Sequence, residues 1–254
     1  MQRIIILISI LLGSWNMSHS QIRENFERHE HIYKAAKMPY RLLKPIPSDS
    51  IDKFPLVIFL HGAAEVGNDN EKQLNHGVLE FAKIKKRQQY PAYVLAPQCP
   101  RGKSWSSTDL TSKPYTTARI PTKELRQVNE LLQSLVKEHP IDTSRIYVIG
   151  LSTGTFGAWE LLYRWPENYA AALMISGSTS LQTITPQVAK IPVWIFNDTT
   201  DKQTDIATVD QVSHQLDSLK ATYKYTRNEN PQQNCMNQAF GKLAAIQWLF
   251  AQHK

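Results

Sequence analysis

The stretch GLSTG (150–154) sets Ser152 between two glycines in a G-x-S-x-G pattern, after the apolar run RIYVI and before TFGAWELLYRW. That spacing suits a serine nucleophile lifted out of a sheet on a tight strand-to-helix turn, with the glycines relieving crowding on either side. Acyl transfer at such a serine also needs N–H donors for the developing oxyanion. Thr153, opening the helix, offers one. The segment FLHGAAE (59–65) offers the second at Ala63, because a loop leaving an apolar run through His61-Gly62 can turn its backbone toward the serine.

Buried strands and intervening helices must hold these groups. PLVIFL (55–60), AYVLAP (92–97), RIYVIG (145–150), AALMIS (171–176) and PVWIFN (192–197) are continuous apolar runs, as expected of strands covered on both faces. TYKYTR (222–227) alternates and reads as nearer an edge. HIYKAAKMPYRLLKP reads as a hairpin with Ala35–Lys37 near its turn. Helical stripes fall between the strands: Leu125, Val128, Leu131, Leu132 and Leu135 opened by Thr122, and Val209, Val212, Leu216 and Leu219. GKLAAIQWLFAQ closes the chain. Alternation of this kind predicts an α/β domain with a mostly parallel central sheet and helices on both faces. One segment, Cys99 to Pro121, has no helical or strand pattern and leaves the C-terminal end of a strand, where ligands bind in open α/β sheets. Trp105 and Tyr115 on it either line a pocket or staple a solvent flap to the core.

The chain has 254 residues, enough for one such domain over 21–254. Residues 1–20 read as a secretory signal peptide: Arg3, the apolar run IIILISILLG, then Ser18 and Ser20 before a cleavage point at Gln21. No cysteine follows that run to carry a lipid anchor, and no other segment is long and apolar enough to span a bilayer. An exported protein, periplasmic or secreted, without stable membrane insertion after cleavage is the expectation. The formal charge of +7 falls to +6 with Arg3 removed. Its one dense run, KIKKR (83–87), reads as a helix end rather than a binding stripe, so nucleic acid is not a predicted partner. The two cysteines are too few for a structural zinc site. No metal site is predicted.

Six blocks in order, YRLLKP, FPLVIFLHGAAEVGNDNEKQLNHG, YVLAPQCPRGKSW, IDTSRIYVIGLSTGTFGAWELLYRWPENYAA, PVWIF and NCMNQAF, resemble the phospholipase/carboxylesterase branch of the α/β-hydrolases, closest to secreted esterases often labelled predicted peptidases. The resemblance covers nearly all of residues 38–250. It implies an α/β-hydrolase fold, a Ser-Asp-His triad, no cofactor and ester substrates, some of them on plant polysaccharides. It places Ser152 as nucleophile and Asp201, in NDTTD, as acid. Asn197 stands where the family has His, and Asp198 where it has Gly. The family's catalytic histidine falls on Gln233 in PQQNCMNQAF. Gln232 stands for Gly and Met236 for an aromatic residue. Thr153 and Thr155 replace Met and Gly, and Ala64 and Val66 replace Gly and Arg. These departures gather at the active centre while the strand cores read normally.

Of eight histidines only His214 and His253 follow the acid, as a base does in this fold, and neither is well placed. His61, preceding the serine, reads as structural and as a pocket wall with Trp105; His76 falls on the same oxyanion side. A glutamine cannot accept the serine proton near neutral pH, and loss of the base costs about 10⁶ in kcat in a serine hydrolase. The expectation is therefore a family member with lost or strongly reduced catalysis that retains a pocket for an ester or glycan. The alternatives are a working carboxylesterase with a base from another position, and a partner-binding protein on the inherited scaffold. Cys99 and Cys235 both border the catalytic face in the family's fold, so a disulfide holding its rim is one expectation and two buried thiols the other.

Overall fold

The computed structural model describes residues 19–48, 50–200, 204–230, 234–241 and 244–254. The proposed leader, apart from His19 and Ser20, lies outside them, as do Asp201 and Gln233. A first helix, α1 (His19–Glu24), leads into strands β1 (Phe26–Tyr33) and β2 (Ala36–Leu43), followed by β3 (Phe54–Leu60), the short helix α2 (Ile84–Gln89) and β4 (Tyr93–Pro97). A two-residue ribbon, β5 (Thr108–Asp109) with β6 (Thr116–Thr117), precedes α3 (Lys123–Glu138), β7 (Ile141–Leu151), α4 (Thr153–Arg164) and β8 (Ala171–Ile175). The chain ends with β9 (Val193–Asp198), α5 (Ile206–Ser218), β10 (Tyr223–Asn228), α6 (Cys235–Gly241) and α7 (Ala244–Phe250).

Eight strands form one sheet in the order β1-β2-β4-β3-β7-β8-β9-β10. β1 and β2 pair antiparallel, as do β2 and β4; every later pair is parallel. The continuous apolar runs are the central strands, and alternate residues feed two cores. Leu56, Ile58 and Leu60 face the layer built by α3, α4 and α5; Val57 and Phe59 face the layer built by α6 and α7. β10 is an edge strand, as its alternation predicts. Two local expectations shift. The hairpin turns at Lys34 and Ala35, both with positive φ (47° and 61°), one residue earlier than predicted. The basic run opens α2, from Lys83 at its N-cap, instead of closing a longer helix. Among the described residues no helix is long and apolar enough to cross a membrane.

α4 begins where β7 ends, and its first turn abuts the end of β3. A Cβ on Gly154 would lie 2.1 Å from the Leu60 carbonyl oxygen, so only glycine allows this approach. The segment after Cys99 is tied down rather than free. Glu160 on α4 is fully buried; its carboxylate accepts from Ser106 Oγ, Ser107 N and Ser107 Oγ, each at 2.7 Å, and from Arg164 Nε at 2.8 Å. Tyr115 packs edge-on against Phe156 of α4, with centroids 5.5 Å apart.

Candidate active site

Ser152 links β7 to α4 with φ 53° and ψ −120°, in the left-handed region where a side chain is strained. Its own N–H donates to Ile175 O (2.8 Å), and its carbonyl accepts from Thr155 N (2.9 Å), which pins the turn. The Thr155 hydroxyl sits between the Gly150 and Ile175 carbonyls at 3.0 and 2.9 Å. The family's glycine at that position would leave those two carbonyls without this donor.

Ser152 opens into a cleft of about 750 Å³ that Ala63, Glu65, His76, Asp198 and Met236 also line. Ala63 begins a one-turn 3-10 helix and Thr153 begins α4, so the N–H of each is first in its turn and has no partner within it. The loop bearing Ala63 lies over the serine: a Cβ on Gly62 would come within 3.3 Å of Ser152 Cβ. Thr153 is half-buried beside Ser152.

Asp198, at the C-terminal end of β9, is the described carboxylate that faces the cleft from the acid side of the sheet. Its Oδ2 accepts from Cys235 N at 3.1 Å and its Oδ1 from Asn228 Nδ2. Both oxygens are thus held by amides. The sequence reading had placed Asp198 at a glycine position and missed it; its location at the very end of a buried strand was the available signal. Asn197, at the end of β9, is fully buried, and neither amide atom has a hydrogen-bond partner among the described residues. Among those residues no imidazole hydrogen-bonds to Ser152 Oγ.

His61 and Trp105 stand behind the cleft instead of along it, contrary to their expected pocket role. His61 is 1% exposed; its Nε2 accepts from Cys99 N at 2.9 Å and its Nδ1 pairs with Gly62 O at 2.7 Å. Burial lowers its pKa from 6.5 to about 4, so the ring is neutral, with its proton on Nδ1. Trp105 packs edge-on against it at 5.1 Å and donates Nε1–H to His61 O at 3.1 Å. The two bolt the loop after β3 to the Cys99–Pro121 segment. His214 and His253 are solvent-exposed.

Of the two expectations for the cysteines, the structure contains two buried thiols and no disulfide. Cys99 belongs to the core on one face of the sheet and Cys235 to the core on the other. Cys235 Sγ lies 2.7 Å from Ser176 Oγ, and burial pushes the Cys99 thiol up to about 12. The shared rim suggested by sequence fails because the sheet itself separates the two sulfurs.

His76 and Glu65 are the cleft residues sequence reasoning left without a role. Glu65 is 4% exposed, and its Oε1 lies 3.4 Å from Nε2 of the half-exposed His76. Eleven residues and two turns separate them along the chain, so no local spacing announces the pair. Among the described residues no group of three or more His, Cys, Asp or Glu side chains could hold a metal ion.

A family model described as phospholipase/carboxylesterase matches residues 45–244. Poly(3-hydroxyalkanoate) depolymerase C of Paucimonas lemoignei is 26% identical over 137 residues, covering 54% of this chain and 31% of the depolymerase. A thermostable esterase of known structure superposes with TM-score 0.83 at 30% identity, over 92% of this chain and 64% of the esterase. A ferulic acid esterase shares the fold, with TM-score 0.66 at 10% identity over 89% of this chain and 97% of its own. This chain therefore spans about a third of the depolymerase and somewhat under two thirds of the thermostable esterase.

Proposed function

This chain belongs to the phospholipase/carboxylesterase family, and from that premise we propose that its Ser152 cleft binds a carboxylic ester and turns it over far more slowly than a complete serine hydrolase. The observation that carries this reading is the pairing of a strained, cleft-facing Ser152 with an acid-side carboxylate, Asp198, whose oxygens are committed to a backbone and a side-chain amide. Gln233, at the base position by resemblance, supplies no proton acceptor. The ester class is drawn from the family and from the depolymerase and esterase relatives; ester-substituted saccharides and small esters are the candidates. Ala63 and Thr153 are the proposed oxyanion donors. Export behind the N-terminal leader belongs to the same proposal.

The mechanism that remains is partial. The elbow holds the hydroxyl, and two N–H groups stand ready for the oxyanion. These features alone sustain about 10³–10⁴-fold acceleration over water in a serine hydrolase stripped of its relay. Wild-type protein is expected to hydrolyse p-nitrophenyl acetate within about tenfold of the Ser152→Ala rate. A Ser152-dependent kcat in the ordinary range of about 1–10³ s⁻¹ would refute slow turnover. Binding is checked separately: glucose pentaacetate should raise the melting temperature of Ser152→Ala. A second reading, a working carboxylesterase with a base from elsewhere, is favoured by one observation, the presence of His76 on the same cleft.

A further inference from the structure

We propose that His76, held by Glu65, is the proton acceptor for Ser152 and carries what acyl chemistry the cleft retains. The inference rests on the ester-site reading above and names the group that sets the size of its residual activity.

Three placements converge. His76 and Ser152 line one cleft. Glu65, buried beneath the imidazole, is 3.4 Å from its Nε2. The same carboxylate is close to the nucleophile: one methyl group added at Gly62 would meet Glu65 Oε2 at 3.2 Å and Ser152 Cβ at 3.3 Å. A carboxylate pairing with one ring nitrogen keeps the proton there and leaves the other as the basic lone pair, which is the job an orienting acid does for a base. In the proposed arrangement the nitrogen facing Glu65, Nε2, carries the proton, and Nδ1 is the acceptor. Among the described residues the other charged group on the cleft wall is Asp198, whose oxygens accept from Cys235 N and Asn228 Nδ2. His61 cannot substitute, because both of its nitrogens are engaged.

In the step proposed, Ser152 Oγ bonds to the acyl carbon as its O–H bond breaks, and the proton passes to His76 Nδ1. The carbon–oxygen bond to the alcohol then breaks, and the same proton goes to the departing alkoxide. Water repeats the sequence in reverse to free the acid and restore the serine. The pair lies on the oxyanion side of the serine, not on the side from which the family's histidine approaches. That geometry is consistent with slow turnover.

The test follows phosphonylation of Ser152 by a fluorophosphonate, read by intact mass, in which the serine oxygen displaces fluoride and its proton again needs an acceptor. Ser152→Ala should take no label. His76→Ala should label at least tenfold more slowly than wild type, with added imidazole restoring the rate saturably, and Glu65→Gln should slow labelling by a smaller factor. A merely structural role for His76 would not respond to imidazole. Should His76→Ala prove unstable, Glu65→Gln/His76→Ala removes the unpaired buried carboxylate and is subjected to the same rescue. Wild-type labelling rates in the His76 variants, or no labelling of Ser152 in wild type, would overturn the assignment. Neither result touches the ester-site reading, which stands or falls on the melting-temperature shift of Ser152→Ala with glucose pentaacetate.

Discussion

At Ser152 the backbone strain falls on the residue proposed to do the chemistry. A positive φ at a residue with a side chain is costly, on the order of 1–3 kcal/mol, and persists only where neighbours over-determine it. Here the Ile175 carbonyl and the Thr155 N–H do so. A chain that had simply abandoned the reaction would gain stability by relaxing this turn, yet the turn is kept. One neighbour is visibly unfavourable: Asn197 buries an amide with neither end satisfied among the described residues, a cost of about 1–3 kcal/mol per group. If Gln233 is the lesion, restoring the imidazole should matter. Gln233→His is expected to raise Ser152-dependent hydrolysis of p-nitrophenyl acetate by about 10²-fold, the lower end of what a general base supplies. An unchanged rate would locate the defect in Thr155, Asp198 or Met236 instead.

At the scale of elements, α4 organises the site. Its first turn presents the elbow, Gly154 lets it press on the end of β3, and its far end clamps the Cys99–Pro121 segment. The sequence announced β7 by its continuous apolar run and the start of α4 by the glycine-flanked serine, whereas α4 itself is buried all round from Gly154 to Leu162 and carries no polar stripe. The clamp left no local signal: Ser106, Ser107 and Glu160 are joined across more than fifty residues. Arg164 completes it, reaching the carbonyls of Ala118 and Arg119 at 2.6 Å each. Glu160→Ala would strand a half-buried guanidinium and three donors together. It should lower unfolding free energy by about 3–5 kcal/mol in urea titration, the range seen when one partner of a buried pair is removed. A loss under 1 kcal/mol would mean the segment does not depend on this anchor.

Across the whole molecule the sheet divides two independent cores, and that division decided the fate of the cysteines. It also places His61 where the loop after β3, the long segment and β3 itself meet. A buried neutral imidazole makes the assembly acid-sensitive with a definite sign. Between pH 6.5 and about 4 the unfolded chain binds a proton at His61 that the folded chain does not, so stability falls as pH drops through that window and levels off below it. The contribution is about 3 kcal/mol. Urea unfolding of wild type should therefore lose about that much more than His61→Gln between pH 7 and 4, and parallel curves for the two would contradict the assignment.

The central strands, the helix stripes and the turn at Ser152 were legible in the amino-acid sequence, because each is written in neighbours a few residues apart; the order of the strands was not. Hydrophobic periodicity and turn chemistry act locally. What lines the cleft with Ser152 was not legible, since Glu65, His76 and Asp198 reach it from a 3-10 turn, a connecting segment and the end of β9, and only the packed sheet brings them together. The same holds for the two sulfurs, which border one site along the chain but are kept apart by a layer of strands. Which groups share a low-dielectric space is a property of the packed whole, and that packing alone decided what can reach the serine's proton.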